Sequence, residues 1–187
     1  MRLFLASESP RRRELLARLG FDFETESAGV AEISAAADPR SVPLRNAESK
    51  AAAVAARHPD ALTLGADTVI LHKGRIIGKP RDSADAAAIL RALSGDSHEV
   101  ITGLALLSPS RRIHEVWEEI ATVRFRPLTD AAIAGYLDRV FVLDKAGAYA
   151  IQEHGDELVE SLDGEFENVI GLPLVRLSNR LAALLKR

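Results

Sequence analysis

The stretch that decides the fold is residues 62–80, which read LTLGADTVILHKGRIIGKP. Its apolar residues are interrupted by glycines, a pattern typical of buried strands separated by turns. We predict a strand that breaks at Gly65, a second strand that reaches a turn at Lys73 and Gly74, and a short third strand after it. Asp67 falls inside this apolar run, where burying an unpaired carboxylate is unfavourable. The stretch therefore predicts strands of a sheet core, in which Asp67 either binds a cation, pairs with a base or emerges at the sheet edge, or is an ordinary turn aspartate.

Strand and helix signals alternate around this stretch. Residues 2–6 (RLFLA) predict a buried strand, after which Ser9 can cap a helix that has Pro10 at its first position. Residues 43–59 show the spacing of a helix that ends at a proline. A long hairpin is predicted to turn at residues 108–111. Interleaved helices together with hairpins predict an α/β fold with a mixed central sheet flanked by helices.

The rest of the chain continues these signals. Further predicted elements are helices that start at Asp82 or Ser83, at Thr129 and at Leu172 or Pro173, an apolar strand at residues 140–143, and a turn at Asp163 and Gly164. No linker rich in proline and glycine interrupts the chain, so we interpret residues 1–187 as a single domain.

Composition restricts the classes of function. The formal net charge is −3 and aromatic residues make up 5% of the chain, which disfavours a nucleic-acid-binding module. The chain has no cysteine, which excludes disulfides and a thiol nucleophile. No apolar run approaches the roughly 18–20 residues that span a bilayer, and no signal peptide is recognisable. We therefore expect a cytoplasmic location and no membrane partner.

The start of the first helix is unusually basic. Arg11, Arg12 and Arg13 follow Ser9 and Pro10, although a helix N-terminus carries partial positive charge and disfavours cations. One interpretation is a solvated basic surface. The other is a site for an anion, because free backbone N–H groups, the hydroxyls of Ser7 and Ser9, and guanidinium groups all bind phosphate oxygens.

Polar residues cluster at other strand ends and loops. Lys50 lies in a helix, Lys79 stands between a glycine and a proline, and the loop DKAGAYAIQ at residues 144–152 combines an acid, a base and an amide. Each has an ordinary alternative, since single lysines are usually solvated and the loop could be purely structural. Taken together with Asp67, however, these residues are typical of a polyphosphate site.

The same residue types favour a hard divalent cation at that site. Mg²⁺ binds carboxylate and phosphate oxygens, and carboxylates are available at Glu32, Glu48, Asp67 and Asp144. A zinc centre is disfavoured because there is no cysteine and no plausible histidine pair. We expect the histidines to be structural or on the surface; they are His58, His72, His98, His114 and His154.

The ordered motifs LASESPRRRELL, GADTVI, GKP, LSGDSHEVITG, DKAGAYAIQ and NVIGLPL resemble those of the Maf family over nearly the whole chain. The resemblance implies an elongated sheet in two lobes, with the active cleft between them, as in the related ITPase-like fold. It also implies Mg²⁺- or Mn²⁺-dependent hydrolysis of a nucleoside triphosphate to the monophosphate and pyrophosphate, by a homodimer.

Family roles carry over to matching positions of this chain. Asp67 matches the proton acceptor that activates water, and Glu32 matches a carboxylate linked to the metal or to catalysis. Substrate selection is implied for Arg11, Thr68 and Gln152. The polar residues implied to line the triphosphate site are Ser7, Ser9, Arg12, Lys50, Lys79 and Lys145. The resemblance also implies that Lys50 and Lys79 are catalytic together with Asp67 and Glu32, and that the two carboxylates bind the metal.

The motifs also resemble one branch of the family more than another. Thr68 after the GAD aspartate and Lys145 in DKAG are similar to the branch acting on dTTP and UTP. The branch acting on 7-methyl-GTP has glutamine and serine at these positions. Two alternatives remain open, namely 7-methyl-GTP as the substrate and a non-catalytic nucleotide-binding regulator of septum formation.

Overall fold

The computed structural model describes residues 1–185. The strands are β1 (Leu3–Leu5), β2 (Glu24–Thr25), β3 (Leu62–His72), β4 (Arg75–Ile77), β5 (Ser97–Ser108), β6 (Ile113–Phe125) and β7 (Val159–Asp163). The helices are α1 (Pro10–Ala17), α2 (Ser41–Arg57), α3 (Ser83–Leu93), α4 (Asp130–Leu137), α5 (Gly155–Leu158), α6 (Phe166–Ile170) and α7 (Val175–Leu185). Short 3-10 turns occur at Pro109–Arg111 and Ala146–Ala148.

Within residues 1–185 these strands form one seven-stranded sheet. The order is β2-β1-β3-β5-β6-β7, and β4 pairs with β3 outside this path. The pairs β1–β2 and β1–β3 are parallel, whereas β3, β5, β6 and β7 pair antiparallel in turn. The predicted mixed sheet flanked by helices is therefore confirmed. The N-caps predicted at Ser9, Asp82 and Thr129 are also present, each with a side-chain oxygen that accepts a hydrogen bond from the helix.

Strand β3 has an opening along one of its edges. One edge pairs with β5 along nearly its whole length. On the other edge, β1 pairs with residues 62–64 and β4 pairs with residues 70–72. The residues between these two ladders, 65–69, thus face a gap between strands. The loops that follow β1 and β4 both begin at this gap.

The break predicted at Gly65 is wrong, because β3 runs continuously from Leu62 to His72. Gly65 has another role, which is to admit helix α2 to the sheet surface. A Cβ atom at Gly65 would lie 2.1 Å from the backbone oxygen of Ala47 in α2. On the neighbouring strand, a Cβ at Gly103 would lie 2.4 Å from the backbone of Pro43. The glycines therefore mark a close contact between helix and sheet and not a turn.

The other face of the sheet carries two hydrophobic clusters. The first contains Leu62 and Leu64 of β3 and packs against α1 and α7. The second contains Ile70 of the same strand and packs against α3 and α4. Thr68 lies on β3 between the leucines and the isoleucine. The predicted division into two lobes corresponds to these two clusters, which share the long central strands.

The strand predicted at residues 140–143 is absent from the structure of this segment. The prediction rested on the apolar run, but burial in this segment alternates: Val140 and Val142 are buried, whereas Phe141 is exposed. The backbone instead turns, and the N–H of Lys145 bonds to the carbonyl of Val142. The alternation therefore reflects two valines anchoring a loop in the second cluster.

Among residues 1–185, none of the helices combines the length and the apolar composition of a membrane span.

The close contact of α2 with the sheet predicts the effect of adding a single methyl group. Gly65→Ala should destabilise the fold by about 3 kcal/mol or more, because the new Cβ meets backbone atoms that cannot turn away. Urea unfolding measures the change. Gly135→Ala in α4 is the matched control: its Cβ would have no atom within 4 Å, so stability should rise by up to about 1 kcal/mol. Equal stabilities for the two variants would contradict the proposed packing role of Gly65.

Candidate functional site

The gap along β3 opens into a cleft of about 480 Å³. Every residue that the family resemblance assigns to the site lines it, although these residues come from separate elements and loops. The predicted lining residues are Ser7, Ser9, Arg11, Arg12, Glu32, Lys50, Asp67, Thr68, Lys79, Lys145 and Gln152. Because the edge of β3 is open here, side chains from both faces of the strand reach the cleft.

Asp67 lies on the face of β3 that α2 covers, and its side chain is held by two residues of that helix. It is 7% exposed. One oxygen, Oδ1, accepts a hydrogen bond from Nζ of Lys50 at 2.8 Å, and Oδ2 accepts one from Nδ2 of Asn46 at 2.9 Å. The buried carboxylate is therefore both paired with a cation and oriented by two donors, as its burial requires.

Glu32 meets Asp67 at the same ammonium group. Nζ of Lys50 lies 2.5 Å from Oε1 of Glu32. This hydrogen bond from Lys50 is the main cause that lowers the pKa of Glu32 below its ordinary value, although partial burial acts in the opposite direction. Two carboxylates thus share one lysine at the base of the cleft, one of them buried and one largely open to solvent.

Asn46 was missed by the sequence interpretation, yet it connects the two carboxylates. Its Nδ2 donates to Asp67 and, at 2.9 Å, to the carbonyl of Ile33. The N–H of Ile33 in turn donates to Oδ1 of Asn46 at 2.9 Å. Asn46 therefore anchors the segment next to Glu32. A signal was present, because Asn46 precedes Lys50 by four residues and so shares its helix face. A buried asparagine and lysine on one helix face indicate a polar site.

Thr68 points to the opposite face of β3 from Asp67. Its Oγ1 accepts a hydrogen bond from Nη2 of Arg12 at 3.1 Å and lies 2.9 Å from Oγ1 of Thr102 on β5. Arg12 also donates from Nε to the carbonyl of Gly171 at 2.9 Å. Burial lowers the pKa of Arg12, while the nearby carboxylates of Asp67 and Glu32 act to raise it. Arg12 is thus a fixed cation that connects the start of α1 to β3.

The three arginines at the start of α1 have different surroundings. Arg12 is anchored as described, and Nη1 of Arg11 lies 3.6 Å from Oδ2 of Asp144 across the cleft. Arg13 is exposed to solvent. The hydroxyl oxygen of Ser9 accepts the N–H of Arg12, and that of Ser7 accepts the N–H of Ser9. The helix start therefore presents two arginines to the cleft and directs the third into water.

The loop at residues 144–152 borders the cleft opposite α1. Lys145 is buried, and its ammonium bonds to the carbonyl of Phe141 and, at 3.0 Å, to Oδ1 of Asp144. These two hydrogen bonds hold the side chain of Lys145 in place, whereas Gln152 is exposed at the cleft. The N–H of Gly147 also bonds to the carbonyl of Gly78, which brings this loop next to Lys79.

The donor set of the cleft fits a magnesium-type cation bound jointly with phosphate. Among residues 1–185 no group of three or more acidic, histidine or cysteine side chains is placed to hold a metal. Asp67 and Glu32 nevertheless offer carboxylate oxygens on either side of one lysine, and Mg²⁺ commonly takes one or two carboxylates and completes its shell with water and substrate phosphates. Glu48, a further candidate carboxylate, bonds instead to His114.

His98 is a buried histidine without a place in the cleft. Its Nε2 lies 2.9 Å from the hydroxyl of Tyr149, and its ring packs edge-on against Phe125. Burial lowers the pKa of His98 to about 4, so the ring is neutral at pH 7. This agrees with the structural role expected for the histidines.

A solved structure of another protein shows that this α/β fold is not specific to the present chain. The Ham1 protein of Staphylococcus aureus has a similar fold, with a TM-score of 0.55 and 13% sequence identity over 98% of this chain and 99% of that chain. The two chains therefore share a mixed α/β fold.

The family follows from the sequence comparison. The family model described as Maf-like protein matches residues 2–184, and the chain belongs to the Maf family. A relative from Deinococcus radiodurans is 45% identical over 92% of this chain and 88% of its own length. Another, from Gloeobacter violaceus, is 45% identical over 100% of this chain and 98% of its own length. Both relatives bear the name dTTP/UTP pyrophosphatase.

The bridging position of Asn46 can be tested without any assumption about activity. Asn46→Leu removes its three hydrogen bonds and should lower the free energy of unfolding by about 2 kcal/mol or more, because buried polar groups lose their partners. Hydrogen exchange should speed up at the amide of Ile33.

Ser94→Ala is the matched control for Asn46→Leu. Oγ of Ser94 similarly binds both backbone groups of Leu128, in a loop that does not line the cleft. This control should lower stability without changing exchange at Ile33. Unchanged protection of Ile33 in Asn46→Leu would show that Asn46 does not anchor the Glu32 segment.

Proposed function

We propose that this protein hydrolyses dTTP and UTP to the nucleoside monophosphate and pyrophosphate, with Mg²⁺ or Mn²⁺ as cofactor. Membership of the Maf family and the names of its relatives support this reaction. The observation that carries the proposal is the meeting of two chemically opposite groups in one cleft. The Asp67–Lys50–Glu32 cluster lies at its base, and the basic start of α1 lies at its side.

The triphosphate would bind between α1 and Lys79. The backbone N–H of Arg11, the guanidinium groups of Arg11 and Arg12, and the hydroxyls of Ser7 and Ser9 can donate to anionic oxygens. Lys79 enters the cleft from the other side of the gap in β3. These groups neutralise the negative charge that builds up on the departing pyrophosphate, which is the main requirement of phosphoryl transfer.

Asp67 and Glu32 would hold the divalent cation together with phosphate oxygens. When bound, such a cation supplies charge neutralisation at the phosphates and lowers the pKa of a bound water. Lys50 holds both carboxylates in place. Asn46 supports the same arrangement from α2 by its bonds to Asp67 and to the backbone beside Glu32.

Asp67 is proposed as the proton acceptor of the reaction. A water molecule beside it loses a proton to the carboxylate as its oxygen bonds to the α-phosphorus, and the bond from that phosphorus to the α–β bridging oxygen breaks. The bridging oxygen leaves as part of pyrophosphate. Because Lys50 and Asn46 donate to both carboxylate oxygens, Asp67 faces the cleft in one orientation.

Thr68 and Gln152 are proposed to select the base, since hydrogen bonds to its polar edge discriminate better than an apolar pocket. We further propose a homodimer in the cytoplasm that binds neither nucleic acid nor membrane, on the basis of the family resemblance and the net charge of −3. A regulator without catalysis would not need the paired carboxylates. We disfavour 7-methyl-GTP as the substrate, because its base is a methylated purine whereas the relatives' names specify nucleotides with pyrimidine bases.

The first test is pyrophosphate release from a panel of nucleotides. Wild-type protein with Mg²⁺ or Mn²⁺ should act on dTTP and UTP, and EDTA should abolish the activity. Asp67→Asn should lower kcat by about a thousandfold or more, because loss of a general base and of a metal ligand both raise the barrier, while circular dichroism stays unchanged. A preference for 7-methyl-GTP, or full activity in Asp67→Asn, would contradict the proposal.

The three arginines of α1 provide an internally controlled test of the phosphate site. Arg11→Ala and Arg12→Ala should each lower kcat/KM for dTTP by about 10–100-fold, the value of a charge-assisted contact of roughly 1.5–3 kcal/mol. Arg13→Ala is the control on the same helix, and it should change kcat/KM by less than about twofold because its side chain is exposed. Equal effects of the three substitutions would remove the assignment of the helix start to phosphate.

A further inference from the structure

Thr102 is a buried threonine next to the cleft that takes no part in the chemistry described above. It lies on β5 directly opposite Thr68 in the strand register and is 0% exposed. It therefore cannot touch a substrate. Its hydroxyl nevertheless lies 2.9 Å from that of Thr68, so it can determine where the hydroxyl hydrogen of Thr68 points.

The hydrogen bonds around Thr102 indicate which of the two threonine hydroxyls donates to the other. Oγ1 of Thr102 donates to the carbonyl oxygen of Asn168 at 3.2 Å. This carbonyl is held in position because Nδ2 of Asn168 donates to the carbonyl of Val100 on the same strand as Thr102. With its own hydrogen directed to Asn168, Thr102 can only accept from Thr68. Thr68 therefore donates inward.

The other possible acceptor for Thr68 is weaker. The carbonyl of Gly171 lies 3.5 Å from Oγ1 of Thr68 and already accepts from Nε of Arg12 at 2.9 Å. Nη2 of Arg12 meanwhile donates to Thr68 at 3.1 Å. A hydroxyl has one hydrogen and two lone pairs. Thr68 thus uses its hydrogen on Thr102 and one lone pair on Arg12, and one lone pair remains for the cleft.

We propose that Thr102 is a positioning residue that makes Thr68 an acceptor only, so that the site selects nucleobases carrying an N–H at the centre of their pairing edge. Uracil and thymine have such a group at N3, whereas cytosine has an unprotonated acceptor there. Because the free lone pair of Thr68 and phosphate oxygens repel each other, the suitable partner for this lone pair is a donor on the base. This inference rests on the proposed function and names the feature of the substrate that the same cleft reads.

Two opposed acceptors leave both groups without a hydrogen bond, which is the kind of mismatch that a polar pocket rejects most strongly. Wild-type protein should therefore use UTP at least about tenfold better than CTP in kcat/KM. The selection should be carried by the hydrogen position of Thr68 and not by the size of the pocket, because UTP and CTP have nearly the same shape.

The test is Thr102→Val, which keeps the shape of the side chain and removes its hydroxyl. Thr68 then loses its inward acceptor and can turn its hydrogen towards the cleft, where it can donate to N3 of cytosine. The ratio of kcat/KM for UTP to that for CTP should fall at least about fivefold. Thr102→Ala removes the same hydroxyl and should give the same fall if the valine variant does not fold.

Two control variants separate this role from a structural one. Thr102→Ser keeps the hydroxyl and should keep the wild-type ratio within about twofold. Thr63→Val makes the same chemical change at a fully buried threonine of β3 whose hydroxyl has no hydrogen-bond partner among the described residues, and it should also leave the ratio unchanged.

The outcomes distinguish this inference from the proposed function. An unchanged ratio in Thr102→Val, or an equal fall in kcat/KM for both nucleotides, would overturn the role of Thr102 without contradicting the proposed pyrophosphatase function. Absence of pyrophosphate release from every nucleotide in the wild-type protein would instead overturn the proposed function. Calorimetric titration with UTP and CTP analogues whose α–β bridge cannot be cleaved would then still test whether Thr102→Val alters the selection of the base.

Discussion

The arrangement of the site depends on the close contact between helix α2 and the central sheet. Gly65 and Gly103 lie on adjacent strands and leave room for the backbone of α2 where any larger residue would collide with it. This contact brings Asn46 and Lys50 within hydrogen-bond distance of Asp67. A helix displaced outward by a methyl group would leave a buried carboxylate without its partners. The packing of backbone against backbone is thus the condition for placing a charge inside the sheet.

The opening along β3 explains how one strand serves two chemical purposes. Successive side chains of a strand point to opposite faces, so Asp67 belongs to the face covered by α2 and Thr68 to the face that contacts Arg12. In a fully paired strand these two side chains would be separated by the sheet. Here the gap between β1 and β4 lets both reach a single cleft. Asp67 and Thr68, which are adjacent in sequence, therefore line the same cleft.

The basic start of α1 is electrostatically unfavourable in isolation, because cations lie at the positive end of a helix. The tertiary structure relieves this conflict for Arg12 by supplying the carbonyl of Gly171 and the nearby charges of Asp67 and Glu32. Arg11 is similarly close to Asp144. A bound triphosphate would be attracted to both arginines and to the helix N-terminus. Arg13 is exposed to solvent, which makes it the natural reference for the other two.

The sequence by itself determined the local elements and the chemical inventory. The resemblance carried by the ordered motifs implied polar residues that line the cleft, while apolar periodicity and the caps at Ser9, Asp82 and Thr129 were sufficient for the mixed sheet and its helices. These signals are local, since capping and alternation depend on a few neighbouring residues. They failed at Gly65, where the reason for a glycine lies in a distant helix, and at residues 140–143, where alternating burial belongs to an anchored loop.

Only the tertiary structure decided which polar groups meet. That Asn46 connects Asp67 to the segment beside Glu32, and that Thr102 directs the hydroxyl of Thr68, follows from strand register and helix placement. Such contacts join residues far apart in the chain, and each alone resembles an ordinary buried polar side chain. The physical reason is that a hydrogen bond is decided by distance and direction within fractions of an ångström, and these are set by packing between elements and not by the pattern within any one of them.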